Sequence, residues 1–322
     1  MSMPAVLRGR LSLPVIASPM FIVSGPDLVI EECKAGIVGS FPALNARPQG
    51  LLTEWLSRIE RELKAHEDAT GKPTAPYAVN QICHVSNDRL MDDVATCEKH
   101  KVPVIITSLR APKEVVQRVH DWGGIVLHDV INVRHAQKAL EDGVDGLILV
   151  CAGAGGHAGT LSPFALVREV RSFYDGTIVL SGAISDGASI LAALAMGADL
   201  AYMGTRFIAS KEANAAPAYK QMLIDSAASD IVYTSLFTGV HGNYLKPSIA
   251  AAGLDPNKLP ESDPSKMNFG SGGNTDAKAW RDIWGSGQGI GTIKDAPPVG
   301  ELVARLKAEF DAARASLGGK AA

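Results

Sequence analysis

Eight short apolar runs recur along the first 210 residues, and amphipathic stretches of helix length separate them. The runs cover residues 13–20, 36–44, 76–82, 102–109, 123–130, 144–152, 177–184 and 199–208. The amphipathic stretches cover residues 50–68, 86–100, 113–121, 133–142, 163–173 and 186–196. Apolar runs without alternation are typical of parallel strands that are buried on both faces. The pattern therefore predicts eight βα units.

Two α/β architectures accept such a pattern. Eight consecutive βα units favour a closed (β/α)8 TIM barrel. An open, doubly wound sheet is the alternative, because the same alternation builds it. No G-x-G-x-x-G fingerprint follows the first run, which counts against a dinucleotide-binding sheet. We therefore predict a TIM barrel over residues 1–210.

The alternation of apolar runs and amphipathic stretches ends after residue 210. Residues 212–235 have a helical pattern, whereas residues 239–291 are rich in Gly, Pro, Asn and Ser and are too long for a plain loop. We expect residues 211–297 to form a small, mainly helical and loop lid subdomain, inserted after the eighth strand. An amphipathic helix over residues 298–316 should pack back and complete the barrel.

The composition excludes several classes of protein. The chain has 322 residues, 46% of them hydrophobic, and a net charge of −3, which gives no reason to expect nucleic acid as a partner. Four scattered cysteines lack C-x-x-C spacing, and no His/Asp/Glu cluster has metal-ligand spacing, so neither a disulfide frame nor a metal site is expected. No apolar run approaches the roughly 20 residues of a membrane helix, and the N-terminus lacks a signal-peptide core. The expectation is a cytoplasmic protein with no membrane partner.

The stretch "CAGAGGHAG", residues 151–159, is the main candidate for chemistry. Glycine lets the backbone approach a ligand closely, and the stretch follows the sixth strand, at the end of the barrel where active sites lie. His157 can exchange protons near neutral pH, which suits general acid–base catalysis. A structural histidine is the alternative. Cys151 has no local base and is expected to be a packing residue.

Two later segments have features of a phosphate site. "VLSGAISDG" (179–187) and "YMGTRF" (202–207) contain the seventh and eighth strands, whose loops often hold a phosphate in barrels. Gly182 and Gly204 would allow close approach of the backbone, and the Thr205 hydroxyl could donate a hydrogen bond. Ordinary turns are the alternative for each glycine taken alone. A phosphate-bearing ligand is expected, and FMN is the obvious barrel cofactor.

Four segments together resemble the 2-nitropropane dioxygenase family. They are "ASPM" (17–20), "AGGHAG" (154–159), "SGAISDG" (181–187) and "GADLAYMGTRF" (197–207). That family contains the nitronate monooxygenases, FMN-dependent enoyl-acyl-carrier-protein reductases and NADH:quinone reductases. The likeness covers residues 12–210 and implies a TIM barrel that binds FMN non-covalently, with His157 as the catalytic residue beside the flavin.

The resemblance also implies which residues surround the ligands. The cofactor-binding positions are Ala17, Ser18, Pro19, Met20, Asn80, His128, Gly155, Gly156, Ser181, Gly182, Ala183, Met203, Gly204 and Thr205. In the lid, His241 and Tyr244 are candidate substrate contacts. The expected partner is a small-molecule substrate, and a homodimer is left open.

Three functions follow from these observations. The first is a nitronate monooxygenase that oxidises alkyl nitronates with O₂ to a carbonyl compound and nitrite. The second is an FMN reductase that uses NAD(P)H and acts on an enoyl or acyl thioester or a quinone. A non-flavin barrel for a sugar phosphate is the third, but no lysine lies on the strands to catalyse its reaction. Val150 and Gly153 stand where many nitronate monooxygenases have Gln and Glu, so the substrate stays open between the first two.

Overall fold

The computed structural model describes residues 3–110, 113–260 and 283–318. The strands are β1 (Val15–Ala17), β2 (Gly39–Pro42), β3 (Tyr77–Ile82), β4 (Val104–Ser108), β5 (Ile125–Val130), β6 (Gly146–Val150), β7 (Gly156–His157), β8 (Thr177–Ser181), β9 (Leu200–Met203), β10 (Ile231–Thr234) and β11 (Gly242–Leu245). The α-helices are α1 (Pro26–Lys34), α2 (Leu51–Thr70), α3 (Leu90–Lys99), α4 (Lys113–Asp121), α5 (Val133–Glu141), α6 (Pro163–Arg171), α7 (Gly187–Met196), α8 (Thr205–Ile208), α9 (Pro217–Asp225), α10 (Lys246–Ala251) and α11 (Val299–Gly318).

The eight predicted strands form one parallel sheet that closes on itself. Its order is β1-β9-β8-β6-β5-β4-β3-β2. The two ends meet where the Ala17 N–H donates to the Val38 carbonyl over 2.8 Å and the Val38 N–H donates to the Val15 carbonyl over 3.1 Å. The prediction of a TIM barrel is confirmed, and its catalytic face is the end at which these strands finish.

The pleat of the strands divides the apolar residues into two layers. Ile16, Ala78, Ile106, Leu127 and Ile148 belong to the cluster inside the barrel. The residues between them pack outward against the helices. Because side chains alternate along a strand, a residue two positions beyond an interior one also faces inward. This rule determines which polar side chains reach the mouth of the barrel.

Asn132, Ser185 and Ser86 are cap-type residues at or near the starts of helical stretches in the sequence, and only the first of them caps a helix. The Asn132 side chain accepts the His135 N–H over 2.8 Å, as a capping residue at the start of α5. At α7 the cap is Asp186, which forms a capping box with Ser189, so the neighbouring Ser185 is not the cap. Ser86 lies four residues before α3 begins at Leu90, so it does not cap that helix.

The lid contains a β-sheet, which differs from the mainly helical and loop expectation. Strands β10 and β11 pair antiparallel, and β11 also pairs with β7 from the barrel loop. Helix α9 ends at Asp225, well short of the predicted residue 235. The β-branched and aromatic residues of "IVYT" (231–234) suit a strand once β11 offers a partner. Lid residues 261–282 lie outside the described residues.

Helix α11 packs on the outside of the barrel against α7 and α1. The contact is closest at Gly187, where an added Cβ would lie 2.1 Å from the Phe310 nitrogen and 2.4 Å from the Leu306 carbonyl oxygen. Only a residue without a side chain allows α7 and α11 to approach this closely. Across the described ranges, no helix is both long enough and apolar enough to cross a membrane.

We predict that Gly187→Ala destabilises the protein by about 1–3 kcal/mol, because α11 must move away from α7. The measurement is the free energy of unfolding in urea. Gly300→Ala is the matched control, since Gly300 lies in the first turn of the partner helix α11 and an added Cβ there meets nothing within 4 Å. Equal stability of the two variants would contradict the close contact.

Candidate active site

The glycine loop after β6 is held in place by the lid. Strand β7 pairs with β11 so that His157 lies opposite Gly242 and Gly156 lies opposite Asn243. The next N–H, of Ala158, donates to the carbonyl of His241 over 3.3 Å. The backbone that carries His157 is therefore part of the lid sheet.

Two lid side chains add to this pairing. The Asn243 amide donates to the Ala154 carbonyl over 2.7 Å, and the Tyr233 hydroxyl donates to the Ala158 carbonyl over 2.8 Å. Both acceptors belong to the glycine loop. The loop is thus fixed on either side of His157, which reduces the freedom that its glycines would otherwise give it.

His157 is half-buried and its ring lies against the lid. The distance between its Nε2 atom and the Thr238 hydroxyl oxygen is 2.9 Å. Burial lowers the pKa of His157 to about 4, because the charged ring loses hydration. The imidazole is therefore neutral at physiological pH in the ligand-free protein.

A polar network forms the floor of the barrel mouth. The Asn80 amide donates to the Ser108 hydroxyl over 2.8 Å, and that hydroxyl donates to Asp129 Oδ2 over 2.6 Å. Asp129 Oδ1 is buried and has no hydrogen-bond partner among the described residues. Burial raises the pKa of Asp129 to about 6, and the hydrogen bond from Ser108 offsets part of that rise. Asp129 is therefore an ionisable group inside the barrel that titrates near neutral pH.

The structure corrects the expectation for His128. Leu127 faces the barrel interior, so the pleat directs His128 outward, towards the helix layer. Its Nδ1 atom lies 2.8 Å from the Thr107 hydroxyl oxygen, and the side chain is buried. Burial lowers the pKa of His128 to about 4. Asp129, one residue further along β5, occupies the inward position instead.

The loops after β8 and β9 meet the glycine loop and a second glycine-rich segment. The Ala183 N–H donates to the Gly153 carbonyl over 3.2 Å, and so does the Gln288 N–H over 2.8 Å. The Gly287 N–H donates to the Thr205 hydroxyl over 2.9 Å. Within the described ranges that hydroxyl only accepts, so its proton can be given to a phosphate oxygen.

Glycines keep this cluster free of side chains. A Cβ on Gly287 would lie 2.7 Å from the Gly153 carbonyl oxygen, and one on Gly182 would lie 2.8 Å from the Ala152 carbonyl oxygen. Gly182 has a φ of +136° and Ala183 a φ of +55°, a region that residues other than glycine seldom adopt. Bare backbone and one free hydroxyl proton fit the phosphate of a flavin mononucleotide.

The loop after β1 lies beside the loop after β9. The Ser18 N–H donates to the Met203 carbonyl over 2.9 Å. A Cβ on Gly204 would lie 2.5 Å from Ser18 Oγ and 3.5 Å from the Met20 sulfur. Ser18, Met20 and Gly204 are therefore together at the mouth of the barrel.

Other predicted positions differ in what they can present to a ligand. The side chains of Ala17 and Met203 pack in the outer layer, so only their backbone faces the site. Pro19 is half-buried between Ser18 and Met20. A Cβ on Gly155 would lie 2.8 Å from the Gly287 nitrogen, whereas a Cβ on Gly156 would meet nothing within 4 Å, so the loop is open on the side of Gly156. Ser181 ends β8 on the interior face and is buried.

The two lid candidates have different surroundings. His241 is exposed, and its ring stacks on Tyr233 with 5.1 Å between the centroids. Tyr244 is only 1% exposed and packs edge-on against Phe237 in the core of the lid. Its burial contradicts the expectation of a direct substrate contact, because the apolar lid core needs this ring.

Apolar side chains surround the mouth. Large exposed residues follow five barrel strands: Phe21, Ile22, Val85, Leu109, Ile131 and Leu161. Two of them, Ile22 with a φ of +66° and Leu109 with a φ of +75°, adopt backbone conformations that cost energy for such residues. Asn45 stabilises the first by accepting the Ile22 N–H over 3.0 Å. The rim suits a ligand with an apolar part.

Three features of the site were missed in the sequence. Asp129 could have been found from the strand pleat, because it lies two positions after the interior Leu127. The segment "GSGQGIG" (285–291) has as many glycines as a phosphate loop, but it lies far from the barrel strands in sequence. Thr238 has no sequence pattern of its own, since only the lid fold brings it to His157. In the part of the chain that the structure describes, no cluster of three His, Cys, Asp or Glu residues could hold a metal.

The matches to known proteins agree with this geometry. The model of the nitronate monooxygenase family matches residues 8–309. The chain belongs to the nitronate monooxygenase family. Membership confirms the resemblance and makes the protein an oxidoreductase that uses a flavin.

Three relatives show the range of this similarity. A nitronate monooxygenase of Paraburkholderia phytofirmans is 28% identical over 92% of each chain. The solved nitroalkane oxidase of Streptomyces ansochromogenes is 25% identical, with a TM-score of 0.76 over 97% of this chain and 100% of its own. A (3aS,4S,5R,7aS)-5-hydroxy-7a-methyl-1-oxo-octahydro-1H-indene-4-carboxyl-CoA dehydrogenase of Rhodococcus jostii is 26% identical over 70% of this chain and 61% of its own length.

We predict that Asp129→Asn stabilises the protein at neutral pH relative to wild type, and not at acidic pH. The pKa of Asp129 rises from 3.8 to about 6 on folding, so its contribution to stability is present at low pH and is lost as pH rises through 6. The wild-type penalty should approach about 3 kcal/mol at pH 7.5.

The measurement is urea unfolding of both proteins at pH 3.5, 5 and 7.5. Asp121→Asn, at an exposed position, is the control and should follow wild type. A difference between Asp129→Asn and wild type that does not change with pH would show that Asp129 is ionised normally.

Proposed function

We propose that this protein is a nitronate monooxygenase that binds FMN non-covalently and oxidises alkyl nitronates with O₂ to a carbonyl compound and nitrite. One observation carries the proposal: a neutral, half-buried histidine lies on a glycine loop whose Gly153 carbonyl accepts from Ala183 and Gln288, in a glycine-lined cluster suited to a phosphate. The match to the nitronate monooxygenase family over residues 8–309 supports it.

The cofactor would be held by backbone more than by charge. Thr205 and the glycines of the loops after β8 and β9 would take the phosphate, and Ser18 to Met20 would lie along the ring system. Both N–H groups of the Asn80 amide already donate to protein oxygens, so its carbonyl oxygen is left to accept from the flavin. When bound, FMN supplies the redox chemistry by carrying electrons from the substrate to O₂.

His157 would act on the substrate through a proton. Its neutral ring can take the α-proton of a nitroalkane or fix an anionic nitronate in place. A nitronate bound beside the ring would raise the pKa of His157, because an opposite charge favours the imidazolium. Substrate binding and protonation of the histidine would thus support each other.

The apolar rim would receive the alkyl chain. Ile22 and Leu109 are about two-fifths exposed, at 42% and 39%, although exposure of such side chains to water has no benefit in itself. Contact with an alkyl group would remove this apolar surface from water. The strained backbone of both residues holds the side chains out for that contact.

A second candidate function is a flavin reductase that takes electrons from NADH or NADPH and acts on a thioester of coenzyme A. The relative from Rhodococcus jostii, named as a carboxyl-CoA dehydrogenase, is the observation that favours it. The open side of the glycine loop and the apolar rim would also admit a large acyl group. The two functions differ in the compound that reduces the flavin.

The test is the visible spectrum of the purified protein under anaerobic conditions. We expect flavin absorbance that is bleached by the nitronate of a nitropropane and not by NADH or NADPH. His157→Asn should keep its FMN, and its bleaching by the neutral nitropropane, whose α-proton has to be removed first, should be at least about 100-fold slower than that of wild type. His135→Asn, at an exposed position on α5, is the matched control and should react as wild type does.

Two outcomes would contradict the proposal. Protein that is colourless and does not take up added FMN would remove the flavin from the account. Bleaching by NADH or NADPH, without bleaching by the nitronate, would establish the reductase instead.

A further inference from the structure

A polar side chain ends the interior face of each of three neighbouring strands, β3, β4 and β5. They are Asn80, Ser108 and Asp129, and each lies two positions after an apolar interior residue, Ala78, Ile106 or Leu127. Because side chains alternate along a strand, all three face into the barrel at its mouth. The three strands pair side by side, which brings these side chains within hydrogen-bond distance of one another.

The hydrogen bonds between these side chains run in one direction. The Asn80 amide nitrogen donates to the Ser108 hydroxyl over 2.8 Å, and that hydroxyl donates to Asp129 Oδ2 over 2.6 Å. A hydroxyl has a single proton, whereas an ionised carboxylate can only accept. With its proton donated to Asp129, the Ser108 oxygen is fixed as the acceptor for Asn80.

This chain of hydrogen bonds determines which end of the Asn80 amide is free. The amide nitrogen also donates to the Ile106 carbonyl over 3.2 Å, so both of its protons are used. The carbonyl oxygen accepts no hydrogen bond from the described residues, although Asn80 is only 3% exposed. That oxygen is not closed off from solvent as Asp129 Oδ1 is, so a ligand in the mouth can reach it.

We infer that Asp129 is a positioning residue that acts through Ser108 to keep the Asn80 carbonyl oxygen facing the mouth as a hydrogen-bond acceptor. This role rests on the proposed function, because the group that would donate to the oxygen is the flavin. An oxidised flavin ring has a single N–H, at N3, between two carbonyl groups. A fixed acceptor in the mouth therefore matches one position of the ring, and Asp129 itself does not need to touch the flavin.

Asp129 is required because a hydroxyl can serve either end of an amide. Without an acceptor on β5, the Ser108 proton could be donated to the Asn80 carbonyl oxygen, and the amide could turn over. Only the longer bond to the Ile106 carbonyl would resist this rotation. The turned amide would place its own N–H groups against the flavin N–H, where no hydrogen bond can form.

The test compares the affinity of the flavin-free protein for FMN and for N3-methyl-FMN, in which a methyl group replaces the N–H. Quenching of flavin fluorescence gives both dissociation constants. We expect wild type to prefer FMN by about 10-fold or more, because the analogue leaves the Asn80 oxygen unpaired. Asp129→Leu and Ser108→Ala should lose most of this preference. Asp129→Asn should retain it, since its carbonyl oxygen can still accept from Ser108.

Thr107→Val is the matched control. The Thr107 hydroxyl lies 2.8 Å from His128 Nδ1, in a buried contact between the same two strands, β4 and β5, but on their outward face. Thr107→Val should therefore lower stability without changing the preference for FMN. A preference in Asp129→Leu equal to that of wild type would overturn the inference, as would an equal loss of preference in Thr107→Val.

Hydrogen exchange of the Asn80 side-chain amide, followed by nitrogen-15 NMR, tests the chain of hydrogen bonds without any flavin. The signal that Asn80→Asp removes identifies this amide. Its protons should exchange with water at least about 10-fold faster in Ser108→Ala and Asp129→Leu than in wild type, because the bond to Ser108 is lost or weakened. Unchanged exchange would overturn the role of Asp129 even in a protein that binds FMN. Faster exchange in the variants of a protein that takes up no FMN would support that role and contradict the proposed function.

Discussion

The pairing of β7 with β11 is the contact on which the candidate site depends. Four residues make it, two from the glycine loop and two from the lid. Without it, the loop of residues 151–159 would have the backbone freedom of its glycines, and His157 would have no fixed position. The pairing is possible because Gly242 has no side chain: a Cβ there would lie 2.7 Å from the Gly156 carbonyl oxygen.

The barrel positions a layer of polar side chains at its mouth. Its apolar interior ends in a polar layer at the carboxyl ends of the strands, where Asn80, Ser108 and Asp129 are connected by hydrogen bonds. The loops after β8 and β9 and the segment of residues 285–291 bring bare backbone together at the proposed phosphate site. The barrel loops and that segment would thus hold the cofactor, whereas the lid sheet holds the loop that carries the histidine.

The sequence alone predicted most of the barrel strands correctly and less of the structure of the lid. The eight apolar runs identified every barrel strand, because a parallel strand buried on both faces has an unmistakable composition. His128 was assigned to the wrong face, although the two-residue period of β5 already favours Asp129. Tyr244 and Thr238 could not be placed, because the pairing of β11 with a barrel loop is a long-range contact. No local pattern in "GVHGNYLKPSI" (239–249) predicts it.

The most direct test of the central claim is hydrogen exchange of the glycine loop in Gly242→Ala. The added methyl group should separate β11 from β7, so the amides of residues 151–159 should exchange faster than in wild type, while those of β3 to β6 should not change. Gly291→Ala is the matched control, because a Cβ at Gly291 would meet nothing within 4 Å. Gly253→Ala would not serve, because Gly253 has a φ of +85° and any side chain there would strain the backbone. Faster exchange confined to the loop and lid would support the account. Unchanged exchange in Gly242→Ala would show that the lid does not hold the loop that carries His157.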